Sequence, residues 1–149
     1  MTLYYLDASA WVKRYLREAG SKWVHRLFKQ EKLLCCATLG LIEVVATLAR
    51  KRHAGEIGVP LWDSAGRFLI ADWDRFCHVE LSAPVLETAL RVVEATALRG
   101  ADAVHLASAL VLHRRLETSA EELCMVASDR ELLEAARQFG LQVADPEVE

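Results

Sequence analysis

Residues 2–9, Thr-Leu-Tyr-Tyr-Leu-Asp-Ala-Ser, constrain this chain more than any other stretch. The run is apolar and aromatic through Leu6, as a buried strand is, and then stops on a carboxylate. Trp11, Val12, Tyr15 and Leu16 follow at helical spacing, so a helix is expected from Ala8 to Arg17, closed by Gly20. Asp7 would then stand at the C-terminal end of a strand, in the turn that opens a helix. Ligands of open α/β sheets bind at such places.

The alternation continues along the chain. Ser21 is a fitting N-cap for a second helix carrying Trp23, Val24, Leu27 and Phe28. Lys32 to Ala37 reads as a short buried strand. Thr38 would cap a long helix with a core stripe of Leu41, Ile42, Val45, Leu48 and Ala49, ended by Gly55. Pro60 suits the first turn of a further helix bearing Leu61, Ala65, Phe68 and Leu69. Phe76 to Leu81 reads as a strand, and Ser82-Ala83-Pro84 opens a helix with Val85, Leu86, Ala89, Val92 and Val93 inward. Asp102 begins a helix with Val104, Leu106, Ala107, Leu110 and Val111 inward, and Glu117 to Glu122 is a polar loop. Leu123 to Ala127 is a continuous apolar run suited to a central strand, after which Asp129 leads into a helix from Arg130 to Phe139. Leu141 to Val143 forms a last short strand. This pattern predicts one domain over residues 1–149, a three-layer α/β/α sandwich with a mostly parallel central sheet.

Composition narrows the classes. With 53% hydrophobic residues there is material for a large core, and a net charge of −3 does not mark a nucleic-acid binder. If four of the 21 acids are committed to a metal, 17 remain against 18 bases, so a loaded site would sit on a near-neutral protein. The four cysteines, Cys35, Cys36, Cys77 and Cys124, form no CxxC pair and lie in apolar runs, as small core residues of a reducing compartment do. An acid at position 7 followed by Lys13 and Arg14 argues against a signal peptide, and no apolar run nears the roughly 20 residues that span a bilayer. A cytoplasmic protein with no membrane segment is expected.

The acids carry the chemistry. Asp7 and Asp129 occupy equivalent places, each between an apolar strand and a helix, and Asp102 follows a glycine turn. Each alone is as well explained as a helix cap. Glu43 is not, because it lies one turn inside its helix among Leu39, Ala46 and Thr47, with no base at helical spacing to pair with it. An unpaired carboxylate in such surroundings is costly, and a cation removes the cost. Asp7, Glu43, Asp102 and Asp129 are therefore expected to converge on a hard divalent cation, Mg²⁺ or Mn²⁺, and to form the catalytic set. Such a site favours hydrolysis of a phosphodiester. Ser9 could hydrogen-bond Asp7 or cap its helix. Lys13, Arg14 and the basic run from Arg50 to His53 are candidate contacts to RNA phosphates, or solvated helix ends. His105, one turn after Asp102, is read as a core or surface residue, and the four tryptophans as packing.

These segments, in this order, resemble the PIN-domain nucleases. Leu6-Asp7-Ala8-Ser9-Ala10 resembles the opening of that family, Leu41-Ile42-Glu43 its second motif, and Arg99-Gly100-Ala101-Asp102-Ala103-Val104-His105 its third. Val126-Ala127-Ser128-Asp129-Arg130 is similar to its fourth. Chain length and the third motif point to the VapC-type toxins. The resemblance implies an Mg²⁺- or Mn²⁺-dependent endoribonuclease with Asp7, Glu43 and Asp102 as metal ligands, Asp129 completing the site and Ser9 supporting it. It implies a homodimer, joined through helices after the first two strands, and a cognate antitoxin that blocks the pocket.

Three other readings compete. One is a PIN nuclease with a housekeeping role in RNA processing, and another is a non-catalytic PIN-like binding module, against which the intact acid set argues. The third is a phosphoryl-transfer protein. A phosphatase of the haloacid dehalogenase type would want an aspartate where Ser9 stands, and a receiver domain a late lysine, whereas no lysine follows Lys51.

Overall fold

The computed structural model describes residues 1–149. Five strands form its sheet: β1 (Thr2–Leu6), β2 (Leu33–Ala37), β3 (Cys77–Val79), β4 (Glu122–Val126) and β5 (Gln142–Ala144). Every pair is parallel, in the order β3-β2-β1-β4-β5. The order reverses direction between β1 and β4, so the crevice of the sheet opens at the C-terminal ends of those two strands. The expected parallel three-layer α/β/α architecture is present.

Seven helices connect the strands: α1 (Ala8–Trp11), α2 (Ser21–Lys29), α3 (Thr38–His53), α4 (Val59–Arg75), α5 (Ala83–Ala95), α6 (Gly100–Leu116) and α7 (Arg130–Gln138). Strand alternation divides the core. Tyr5 and Cys35 face α5, α6 and α7, whereas Leu6 and Cys36 face α1 through α4. The neighbouring cysteines thus point to opposite layers, and all four are free thiols. Trp11 is fully buried and stacks on Trp73 with ring centroids 5.7 Å apart, a packing role as expected.

Several local expectations are corrected. The first helix stops at Trp11 and tightens into a 3-10 turn over Val12–Arg14 instead of running to Arg17. Ser21 explains why. Its hydroxyl donates to the Leu16 carbonyl (2.7 Å) and accepts from the Glu18 amide (3.0 Å), offering those groups an alternative to helix. Ser21 is therefore the first residue inside α2 and not its cap. Gly20 takes the cap position at φ +88°, where an added Cβ would strike Pro146. Thr38 is likewise the first residue of α3 and caps nothing.

The buried stripe of α3 is Gly40, Val44 and Leu48, while Ile42 is 67% exposed and Val45 partly so. An apolar helix has more than one candidate face, and here the smallest residue chooses it. A Cβ on Gly40 would collide with the Cys36 sulfur and approach His105 Cε1 to 3.2 Å, so α3 lies against the sheet at this glycine. On α5, Leu86 and Val93 turn outward and Thr88 inward, again unlike the expected stripe. Helix α6 is buried on nearly all sides from Ala103 to Leu112, between the sheet and α5.

Candidate active site

The site forms where β1 and β4 end. The Asp7 amide donates to the Val126 carbonyl (3.1 Å), which fastens the β1–α1 turn to the last residue of β4. Asp7 caps α1: its Oδ1 accepts from the Ala10 amide (3.0 Å) and from the Ser9 hydroxyl (2.7 Å). Ser9 Oγ in turn accepts from the Ser128 amide (3.1 Å), joining this turn to the one after β4. Asp129 caps α7 through Oδ1, which accepts from the amides of Glu131 (2.9 Å) and Leu132 (3.3 Å). Both aspartates are thus caps, yet each spends only one oxygen on the task and leaves Oδ2 with no protein donor. Asp102 is the third residue of α6 and caps nothing, and its carboxylate receives no hydrogen bond from the protein.

Electrostatics tie the acids together. Burial, opposed by His105, Ser9 and the Ala10 amide and assisted by Asp102, pushes the Asp7 carboxyl up to about 6. Burial and then the Asp129 charge, with a further contribution from Glu43, hold Asp102 above the ordinary carboxylate range. No group of three acids stands at the spacing that would enclose a metal ion, so the expected convergence is partial. Glu43 is instead held by a base.

That base is His105. Its Nε2 lies 2.5 Å from Glu43 Oε1, and its Nδ1 lies 2.7 Å from the Tyr5 hydroxyl. No base stands near Glu43 along its own helix, and the partner comes from α6, 62 residues away. His105 is a core residue, 1% exposed, the first of the two places its sequence allowed. The bond to Glu43 is what sequence reasoning missed. The available signal was its spacing: three residues after Asp102 places it one turn along the same helix.

The basic candidates separate. Lys13 and Arg50 line an open groove of about 500 Å³ together with Ser9, Glu43, Ile42 and Thr47. Lys13 is nearly buried and pairs with Glu18 at 3.0 Å. Arg14 does not join them. Its guanidinium binds the buried Asp72, with Nε 3.2 Å from Oδ2, and lies over the Phe28 ring at 4.6 Å. It is a structural cation that faces α4.

The residues present suit a hard divalent cation. The free donors are carboxylate oxygens, Asp7 is buried with no cation bonded to it, and Ser128, whose amide donates to Ser9, carries the one buried side-chain polar atom lacking a partner.

A PIN domain family model matches residues 4–138. The chain is also 35% identical to Ribonuclease VapC45 of Mycobacterium tuberculosis, over all of this chain and 99% of that protein. It is a VapC-type member of the PIN domain family. The crystal structure of PAE2754 from Pyrobaculum aerophilum matches at a TM-score of 0.65 and 25% identity, over 99% of this chain and 85% of that one. VapBC2 from Rickettsia felis, solved bound to a DNA fragment from its promoter, shares the fold at a TM-score of 0.66 and 11% identity, over 96% and 98% of the two chains. The four acid-bearing segments of this PIN domain, around Asp7, Glu43, Asp102 and Asp129, all fall inside the matched residues. No helix is long and apolar enough to cross a membrane.

Proposed function

We propose that this protein is a divalent-metal-dependent endoribonuclease, the toxin of a toxin–antitoxin pair. The observation that carries the proposal is Asp7: a buried carboxylate at the switch point of a parallel sheet, with a free oxygen, acidic neighbours and no cation. The ribonuclease names of the relatives support the reaction class.

Asp7, Glu43, Asp102 and Asp129 would hold Mg²⁺ or Mn²⁺. When bound, the ion supplies activation of water and neutralisation of charge on the phosphoryl group. The chain's own residues do the rest. The Ser9 hydroxyl and the Ala10 amide fix one oxygen of Asp7 and leave the other free of protein donors. Lys13 and Arg50, on the wall of the groove beside Glu43, lie where they can hold the phosphates of an RNA strand. The same groove is the proposed docking place of a cognate antitoxin. Solved relatives of the same fold include toxin–antitoxin complexes such as VapBC2, which supports such a partner. Ile42 on α3 and Phe68 and Ile70 on α4 remain at the surface, which supports a homodimer through the elements that follow β2.

The test is cleavage of end-labelled total RNA by the purified protein, with Mg²⁺ or Mn²⁺ against EDTA, beside Asp7→Asn and Glu43→Gln. Cutting that requires metal and disappears in both variants is the expected result. No cutting by a folded, antitoxin-free, metal-loaded wild type over a broad RNA panel would overturn the proposal in favour of a non-catalytic module.

A further inference from the structure

We infer that His105 is a positioning residue, locked by Tyr5 in one tautomer so that its Nε2–H aims the Glu43 carboxylate. The argument is a count of protons. Tyr5 and His105 are almost fully buried, so each polar hydrogen there needs an acceptor. The Tyr5 oxygen already accepts from the Ala37 amide at 3.1 Å. Its own single proton has an acceptor in His105 Nδ1, at 2.7 Å. With the proton placed there Nδ1 is bare, and the ring of a neutral imidazole carries its one hydrogen on Nε2. That nitrogen faces Glu43 Oε1, a pure acceptor. A neutral Nδ1–H ring would turn the Tyr5 proton away toward Ser108 and set two lone pairs against each other at Glu43.

The surroundings hold the ring in place. Tyr5 meets it edge-on, with centroids 5.9 Å apart and planes at 69°. On another side Gly40 lets α3 approach until an added Cβ would touch His105 Cε1. Tyr5 is also anchored to β2 through Ala37, whose neighbour Thr38 begins α3, the helix that carries Glu43. Strand β1, helix α6 and helix α3 are thereby joined through one imidazole. Glu43 is about one-third exposed at its side chain and would otherwise be free to sample rotamers on the groove wall. The chain Tyr5–His105–Glu43 removes that freedom from one oxygen and leaves Oε2 without a protein partner, on a residue that lines the groove.

The inference rests on the proposed role of Glu43 as a metal ligand, so the experiment separates the two. Nitrogen-15 correlation spectra of the imidazoles, recorded on the metal-free full chain, read the tautomer directly. The His105 signals are assigned by their loss in His105→Gln. The expected pattern is a protonated Nε2 and a bare Nδ1, with the restriction to one tautomer lost in Tyr5→Phe. A ring protonated on Nδ1 would overturn the inference and mean that Tyr5 donates to Ser108 beside it instead. Mn²⁺ binding is then measured without RNA in the wild type, His105→Leu and His105→Gln. Loss of a ligand's supporting hydrogen bond costs about 10- to 100-fold in metal affinity. His105→Leu should show a loss of that size, and His105→Gln, whose amide N–H can replace Nε2–H, should recover most of it. Equal weakening in both variants at matched folding would mean that His105 only fills space. If the tautomer and the Mn²⁺ series hold while RNA stays uncut, the nuclease reading fails and the positioning role stands.

Discussion

Two aspartates of this protein are equally hidden from water, Asp72 at 3% and Asp7 at 4% exposure, and they are solvated in opposite ways. Asp72 on α4 receives a guanidinium and a phenol: Arg14 Nε at 3.2 Å and the Tyr15 hydroxyl at 2.8 Å, the latter itself held by Trp11 Nε1–H at 2.8 Å. Its charge is answered inside the protein. Asp7 receives a hydroxyl and an amide on one oxygen and no hydrogen bond from a cation. Burying a carboxylate without a partner cation is expensive, and the surroundings of Asp7 express the expense as a carboxyl raised to about 6. The first network is finished and serves the fold. The second has no cation bonded to its carboxylate, and the ion proposed above would supply one.

The largest effect that would break this comparison is on Asp7→Asn. RNA cleavage should fall by more than the roughly 100-fold that losing an outer partner of a metal ligand costs. The metal-free protein should at the same time become more stable at neutral pH. The sign follows from linkage. Asp7 in the folded state holds its proton to about 6, above its ordinary value of 3.8, so between those values the folded state binds more protons than the unfolded one. Wild-type stability therefore declines as pH rises through that window, by something on the order of 3 kcal/mol. Denaturant titrations in EDTA should show the decline in the wild type and its absence in Asp7→Asn. A variant that is less stable than the wild type at neutral pH would show that Asp7 is compensated after all.

Asp72→Asn should act with the opposite sign. It leaves the half-buried Arg14 guanidinium facing a neutral amide, and breaking one side of a buried pair costs about 3–5 kcal/mol. Mn²⁺ affinity per folded molecule should not change, because Asp72 belongs to the α1–α4 packing and not to the groove. If Asp72→Asn weakened metal binding as strongly as Asp7→Asn, the division into a structural and a functional carboxylate would be wrong.

Gly40→Ala probes the border between the two regions. The new methyl meets the Cys36 sulfur and His105, and overpacking at such a place costs about 3 kcal/mol. Because Cys36 is the nearer obstacle, the pair Gly40→Ala with Cys36→Ala should regain much of the stability, measured by thermal unfolding. A double variant no better than the single would mean that displacement of His105, and not of the sulfur, is the damage.

How much of this was legible follows from the range of the interactions. The sheet and its switch point could be read because β1 and β4 are short, continuous apolar runs that end on acids, a local pattern. The caps at Asp7 and Asp129 were legible for the same reason. The face of α3 was not, since Gly40 is chosen by its contacts with Cys36 and His105 on other elements. Nor was the partner of Glu43, which has no local base and finds one only when α6 crosses α3. Arg14 was misread as a candidate for RNA because nothing within its own helix announces Asp72, 58 residues on. Helical spacing identifies which side chains share a face. It does not say what that face meets.

Ser9→Ala is the smallest of these effects and the sharpest test of what surrounds Asp7. The Ser9 hydroxyl donates to the carboxylate and accepts from the Ser128 amide, so its removal takes one donor from Asp7 and one acceptor from the turn after β4. A hydrogen bond to a charged group contributes about 1.5 kcal/mol at the low end, and a neutral one less. The loss should therefore be larger at neutral pH, where Asp7 is ionised, than at pH 4, where it is protonated. Because Ser9 favours the charged form, the Asp7 carboxyl should titrate still higher in the variant. Denaturant midpoints at the two pH values measure the difference. The corresponding change at the other aspartate, Tyr15→Phe, removes a phenol donor but leaves the Arg14 guanidinium in place against Asp72. A loss on Ser9→Ala that does not grow between pH 4 and neutral would show that the Asp7 carboxylate does not rely on this hydroxyl, whereas a loss that grows shows that its charge is held by neutral donors, the condition a metal ion would relieve.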